Sequence, residues 1–182
     1  PSLQFAIESA VLMALSQSAV QVSCHIFFST VSGALTLLQR SKEDLAKHVV
    51  KLKIGREPLL AEIEGIQSLL NHHPSLVLRL DANQKLLFNE VTQFVSQIPK
   101  ESIDYIEDPC DKVDQYEEVC RQTGVGLAVD YPYHVGDFDG IKTLVIKPTV
   151  VGGIRSIQSL CSTYDVDRYV MSSCYETAIG LS

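Results

Sequence analysis

The sequence predicts an α/β fold, a parallel (β/α) barrel of the TIM type. Short apolar runs alternate with helical-period segments along the chain. Three of the runs end in carboxylates: LVLRLDAN at Asp81, IDYIEDP at Glu107 and GLAVD at Asp130. The runs flanking them carry lysines instead, Lys51 and Lys53 in VVKLKIG and Lys147 in LVIKP. Function in a parallel barrel collects at the carboxyl ends of the strands, so these successive strands are expected to build one site.

The elements follow in order. Residues 1–20 form a leading helix, and residues 21–182 supply barrel units one to seven. Phe5, Ser9, Leu12, Met13 and Ser16 fall near helical spacing, which predicts a mostly buried helix over 3–17. Residues 22–29 read as the first strand, with Ser32-Gly33 marking the loop after it. A helix with a polar outer face is expected over 35–47, showing Lys42, Glu43, Asp44 and Lys47 to solvent. In the second strand, 48–54, Lys51 and Lys53 are two apart and share a face, opposite Val50, Leu52 and Ile54. Helix 57–71 places Leu60, Ile63, Ile66 or Gln67, and Leu70 inward, and Pro74 stops it.

The third strand, 76–81, sets Val77, Arg79 and Asp81 against three leucines; Arg79 is read as a structural partner of inward carboxylates. Helix 85–98 buries Val91, Phe94, Val95 and Ile98. Strand 103–107, helix 113–123, the helix-ending Gly124 and strand 126–130 follow. An excursion over Tyr131–Gly140 stands where a helix would be. Strand 143–147 ends at Lys147-Pro148, and Gly152-Gly153 precedes helix 154–163 as a plain turn. Strand 168–173 ends in Ser172-Ser173.

Seven strands do not close an eight-stranded barrel, so the last strand is expected to lie outside this sequence. An open doubly wound sheet is the alternative fold. It would have to bury the charged face of the strands.

Bulk properties narrow the function. A net charge of −7 with no basic stripe argues against nucleic acid as a partner. It leaves room for an acidic substrate, because the local charge of a cleft can oppose the global sign. No long apolar run predicts a membrane span, and the first residues lack the basic start of a signal peptide. Five scattered cysteines without a CxxC pair fit a reducing cytoplasm and give zinc no support. The five histidines show no ligand spacing.

The carboxylates carry the chemistry. On neighbouring strands about 4.8 Å apart, three acids repel unless a cation joins them. Oxygen-only ligands suit Mg²⁺, with Mn²⁺ as a substitute. A lysine beside a metal and another cation can lose its proton near neutral pH and serve as a general base toward a carbon acid. The metal would hold the enolate oxygens so formed.

With these residues in place, the chain resembles the barrel of the enolase superfamily, muconate-lactonizing subgroup. The pieces are KLKIG (51–55), LRLDAN (78–83), IEDPC (106–110), LAVD (127–130), VIKPTVVGG (145–153) and MSSCYETAIGLS (171–182). Within the subgroup, LRLDAN, IEDPC and the SSCYET ending are most similar to the o-succinylbenzoate synthase family. The resemblance implies Mg²⁺ on Asp81, Glu107 and Asp130. It implies Lys53 as the base, Lys51 assisting it, and Lys147 across the ring stabilising an enediolate. Ser172 and Ser173 would hold a substrate carboxylate through backbone N–H groups.

The implied reaction is dehydration of 2-succinyl-6-hydroxy-2,4-cyclohexadiene-1-carboxylate, a step of menaquinone biosynthesis. The family usually has Glu after the fifth-strand Asp, where this chain has Tyr131. The family's N-terminal capping domain is not represented. Two other readings use the same residues: racemisation of N-acylamino acids or epimerisation of dipeptides, and a non-catalytic relic barrel.

Overall fold

The computed structural model describes residues 2–15, 26–38, 49–130, 141–164 and 166–172, without the side chains of residues 2, 9 and 12–15. The expected strand residues 22–25, helix residues 39–47, the excursion at 131–140 with Tyr131, and Ser173 with the rest of the SSCYET ending lie outside them.

The described strands are β1 (Ile26–Phe28), β2 (Val49–Lys53), β3 (Val77–Asp81), β4 (Ile103–Glu107), β5 (Leu127–Asp130), β6 (Ile141–Ile146) and β7 (Arg168–Met171). The helices are α1 (Ser2–Leu15), α2 (Val31–Leu38), α3 (Leu59–His72), α4 (Phe88–Ser96), α5 (Tyr116–Thr123), α6 (Pro148–Val151) and α7 (Ile154–Thr163). β1 to β5 pair in chain order, β6 pairs with β7, and each of these pairings is parallel. The described residues group into two compact units. One lies within Cys24–Ala128 and takes in Ile141; the other joins α1, Val129–Asp130 and the chain from Lys142 onward.

In the first unit, alternation separates a core face from a charged face. Val50, Leu52, Leu78, Leu80 and Ile106 are fully buried. So are Ile63, Ile66, Phe94 and Val95 of α3 and α4. Each such side chain contributes roughly 1.5–3 kcal/mol by leaving water. Val91 and Ile98 join them, as the helical spacing predicts. Gly124 ends α5 at φ +67, a left-handed conformation that glycine adopts without a Cβ penalty.

Three helical expectations need correction. α2 begins at Val31, so Ser32-Gly33 is its first turn and not a loop. Thr30 caps it, its Oγ1 accepting the Gly33 N–H at 3.1 Å. Glu57 accepts the Ser32 N–H at 3.0 Å. In α3 the inward positions are Glu62, Ile63, Gly65, Ile66, Leu69 and Leu70, while Leu60 is 59% exposed. The cause is a buried acid in the first turn, which turns Leu60 outward.

In the second unit, α1 buries Phe5 but leaves Leu3, Ile7 and Val11 exposed, so it is not a mostly buried helix. It packs on α6 and α7. Leu144, Ile146 and Leu160 form the core here, with Val151, Ile157, Tyr164 and Tyr169 against them. α6, a turn the sequence does not announce, starts with Pro148 at its first position, where the missing N–H costs nothing.

Candidate active site

The charged face of β2, β3 and β4 carries two rows of side chains. Register pairing aligns Lys51 with Arg79 and Arg79 with Tyr105. One step nearer the carboxyl ends it aligns Lys53 with Asp81 and Asp81 with Glu107. Alternation therefore delivers two amines and two acids to one place.

They engage directly. Lys51 Nζ donates to Glu107 Oε2 at 2.6 Å and lies 3.1 Å from Asp81 Oδ2. Lys53 Nζ donates to Asp81 Oδ2 at 3.1 Å and to Asn83 Oδ1. Asp81 and Glu107 are 3% and 2% exposed, so their charges need these partners. Burial pushes the Lys51 ammonium toward losing its proton, but the charges of Glu107 and Asp81 outweigh burial and hold its pKa well above 10.5. The sequence-based expectation of a lowered lysine pKa is therefore wrong for Lys51. It sits between acids and remains a cation. Burial, then the nearby Glu107 charge, pushes the Tyr105 phenol up to about 12. Arg79 donates to Asp104 at 2.8 Å and stands 5.2 Å from the centre of the Tyr105 ring.

The strand ends are knitted beyond the acids. Ile54 donates to the Asp81 carbonyl, Ala82 to that of Glu107 and Asp108 to that of Ala128, each at 3.0 Å. Gln84 N–H reaches the Asp108 carbonyl at 2.8 Å, and Leu86 bridges to Cys110. Asn83, Gln84 and Asp108 take positive φ values of 46°, 60° and 45°, and Asn and Asp accept that region more readily than other side chains. Asn83 N–H also bonds Asp81 Oδ1 at 3.1 Å.

In the second unit, Lys147 follows β6 directly and its Nζ donates to Asp130 Oδ2 at the end of β5. Asp130 is 4% exposed. Ser172 follows β7, and its backbone N–H donates to the Ile146 carbonyl at 2.7 Å. That N–H extends the β6–β7 ladder, so it is not available to a substrate carboxylate as expected. The turn at Gly152-Gly153 holds a protein carboxylate: Glu8 of α1 accepts the Ile154 N–H at the start of α7. Plain structural use of the turn is upheld.

Asp81 and Glu107 offer only hard oxygen donors, in a buried setting, which suits Mg²⁺ in kind. As they stand both are paired to Lys51, and among the described residues no group of three His, Cys, Asp or Glu is gathered to hold a metal ion. Sequence reasoning missed two polar residues here. Asn83 lies within the quoted LRLDAN but went unassigned. Glu62 accepts three backbone N–H groups of the loop after β2. Its signal was an acid four and seven positions before Ile66 and Leu69, on the buried face of a helix.

Comparison with known proteins gives the family and the fold. The family model described as enolase C-terminal domain-like matches residues 36–181. The o-succinylbenzoate synthase of Pectobacterium atrosepticum is 31% identical over 144 residues, which cover 74% of this chain and 45% of that protein. Its counterpart in Salmonella paratyphi B is 28% identical over 156 residues, covering 80% and 49%. The chain spans about half the length of these curated relatives.

Two solved structures show the fold. That of o-succinylbenzoate synthase from Thermosynechococcus elongatus BP-1, complexed with Mg in the active site, matches with a TM-score of 0.71 at 21% identity, over 98% of this chain and 61% of that one. A racemase from Streptomyces coelicolor A3(2) with bound magnesium gives 0.63 at 16% identity, over 82% and 52%. The fold is the parallel (β/α) barrel class, present here as seven strands among the described residues. No helix among the described residues is long and apolar enough to cross a membrane. By sequence and by fold, the chain belongs to the enolase C-terminal domain-like family of the enolase superfamily.

Proposed function

We propose that this chain carries the catalytic residues of a Mg²⁺-dependent hydro-lyase of the o-succinylbenzoate synthase type. Its substrate would be 2-succinyl-6-hydroxy-2,4-cyclohexadiene-1-carboxylate, the small carboxylate that menaquinone biosynthesis dehydrates. The observation that carries the proposal is the ion-paired quartet of Lys51, Lys53, Asp81 and Glu107 at adjoining strand ends, all buried but the half-buried Lys53. The identity to curated synthases supports the choice of substrate.

Lys53 is assigned as the base that takes the proton from the carbon next to the substrate carboxylate. The neighbouring hydroxyl then leaves with a proton, which the newly formed Lys53 ammonium can supply. One C–H and one C–OH bond are exchanged for a double bond and water, and the ring becomes aromatic. Lys51, held as a cation, raises the positive potential around the reacting carboxylate. Lys147 is assigned to stabilise the enediolate charge. Asp81, Glu107 and Asp130 are the residues that would hold Mg²⁺, or Mn²⁺ in its place. Bound Mg²⁺ would supply Lewis-acid stabilisation of charge developing on the substrate carboxylate. Ser172 and Ser173 remain assigned near the substrate, with the Ser172 backbone N–H excepted. A cytoplasmic location fits Cys110 and Cys161, which are thiols and not disulfides.

The test is turnover of the diene carboxylate, followed by the absorbance of the aromatic product. Lys53→Ala and chelation of divalent ions should each abolish it while the protein stays folded. Full activity in Lys53→Ala would refute the assignment of the base. Racemisation is the second reading, favoured because the chain sets two lysines at strand ends, Lys53 in β2 and Lys147 after β6, and a two-base mechanism needs one amine for each face of the substrate. Solvent deuterium entering both enantiomers of an N-acylamino acid, with no dehydration, would select it.

A further inference from the structure

We infer that Glu62 is a positioning residue for Lys53. The inference rests on the role proposed for Lys53 and extends it to a residue with no contact to the reacting groups. Glu62 is fully buried on α3, and no lysine, arginine or histidine side chain pairs with it among the described residues. Its partners are three consecutive backbone N–H groups. Gly55 donates to Oε2 at 2.8 Å, and Arg56 and Glu57 donate to Oε1 at 3.0 Å each. Successive N–H groups around a left-handed residue form a concave anion-binding nest, and Gly55 at φ +71 supplies that residue. Normally such a nest takes a ligand. Here the protein fills it with its own carboxylate.

The nest begins two residues after Lys53. Between them, Ile54 N–H is bonded to the Asp81 carbonyl. The backbone leaving Lys53 is thus fastened on one side to the strand that carries Asp81 and on the other to Glu62. A buried, unneutralised acid is an expensive way to close a loop, because an amide or hydroxyl would cost less to desolvate. Its advantage is stiffness: bonds to a charged acceptor are about twice as strong as neutral ones. A stiff exit from β2 keeps the Lys53 stem in one direction, and displacement of a reacting group by about 1 Å can cost on the order of 100-fold in rate.

The experiment compares Glu62→Gln and Glu62→Asp with Ile63→Val, a core substitution on the same helix. Glu62→Gln keeps the size but turns a donor amide toward one of the three N–H groups. It should lower kcat by about 10- to 100-fold with little change in KM. Glu62→Asp keeps the charge and should recover part of the loss. Ile63→Val should leave kcat unchanged even where it lowers Tm as much. Two readouts need no substrate: amide hydrogen exchange at Gly55–Glu57, and the rate at which an amine-directed acylating reagent labels Lys53. Both should change in Glu62→Gln and not in Ile63→Val. Folded Glu62→Gln with wild-type exchange and labelling overturns the inference, as does a kcat loss matched by Ile63→Val at equal Tm. If the wild type fails to dehydrate the diene, the proposed reaction fails, while exchange and labelling still decide the role of Glu62.

Discussion

Lys51 Nζ and Glu107 Oε2 meet at 2.6 Å, both residues buried, 56 positions apart in the chain. Parallel register through β3 brings them together. Removing one member of a buried pair leaves the other charged and unsolvated, at a cost of about 3–5 kcal/mol. Lys51→Met should therefore lower the stability measured by urea unfolding by about that amount when divalent ions are absent. Adding Glu107→Gln removes the orphaned charge, so Lys51→Met/Glu107→Gln should recover most of the loss. Additive losses in the double variant would show that the two side chains do not interact.

The same neighbourhood sets an alkaline limit. The folded state holds the Lys51 proton more tightly than the unfolded chain does, and it also holds those of Tyr105 and Tyr116 more tightly. A raised pKa adds stability that is fully present below the unfolded value and lost as pH rises toward the folded one. The unfolded values are 10.0 for tyrosine and 10.5 for lysine, and Tyr105 reaches about 12 when folded. Unfolding free energy should fall between pH 10 and about 12, whereas between pH 6 and 9 these three groups contribute in full and add no slope. Tyr105→Phe should reduce the slope, and an unchanged slope would remove Tyr105 from the explanation.

What the sequence could and could not announce has physical reasons. β2 to β5 were legible because period-two alternation puts Lys51, Lys53, Asp81 and Glu107 on a face opposite Val50, Leu52, Leu78 and Leu80. The start of α2 was not, because Thr30 and the Glu57 carboxylate supply its cap, and Glu57 comes from the loop after β2. Leu60 was misplaced because hydrophobic spacing cannot see that Glu62 takes the inward position, satisfied by three amides. The exposed side of α1 was hidden by apolar residues all round the helix. Lys51 was read as a cation beside a cation. Only the register of β3 and β4 shows it between two acids.

Glu8 and Gly153 should prove to be one feature. A Cβ at Gly153 would fall 2.3 Å from Glu8 Oε2, so any side chain there displaces the carboxylate from the start of α7. The Gly153 backbone itself, at φ −68°, suits alanine. Gly153→Ala and Glu8→Ala should thus lower Tm by similar amounts, and the double variant should fall no further. Independent, summing effects in thermal melts would mean that the carboxylate and the turn are not coupled.

Asn83 has two duties that substitution can separate. Its backbone is left-handed at φ 46°, and its side chain accepts from Lys53 Nζ. Asn83→Gly keeps the backbone conformation at little steric cost and removes the acceptor. Asn83→Ala removes the acceptor and adds a left-handed penalty of about 1–2 kcal/mol. Both should lose activity to the same degree, about tenfold if the Lys53 amine loses one of the two contacts that aim it. Only Asn83→Ala should lose stability in urea. A fully active Asn83→Gly would show that Asp81 alone is enough to direct Lys53.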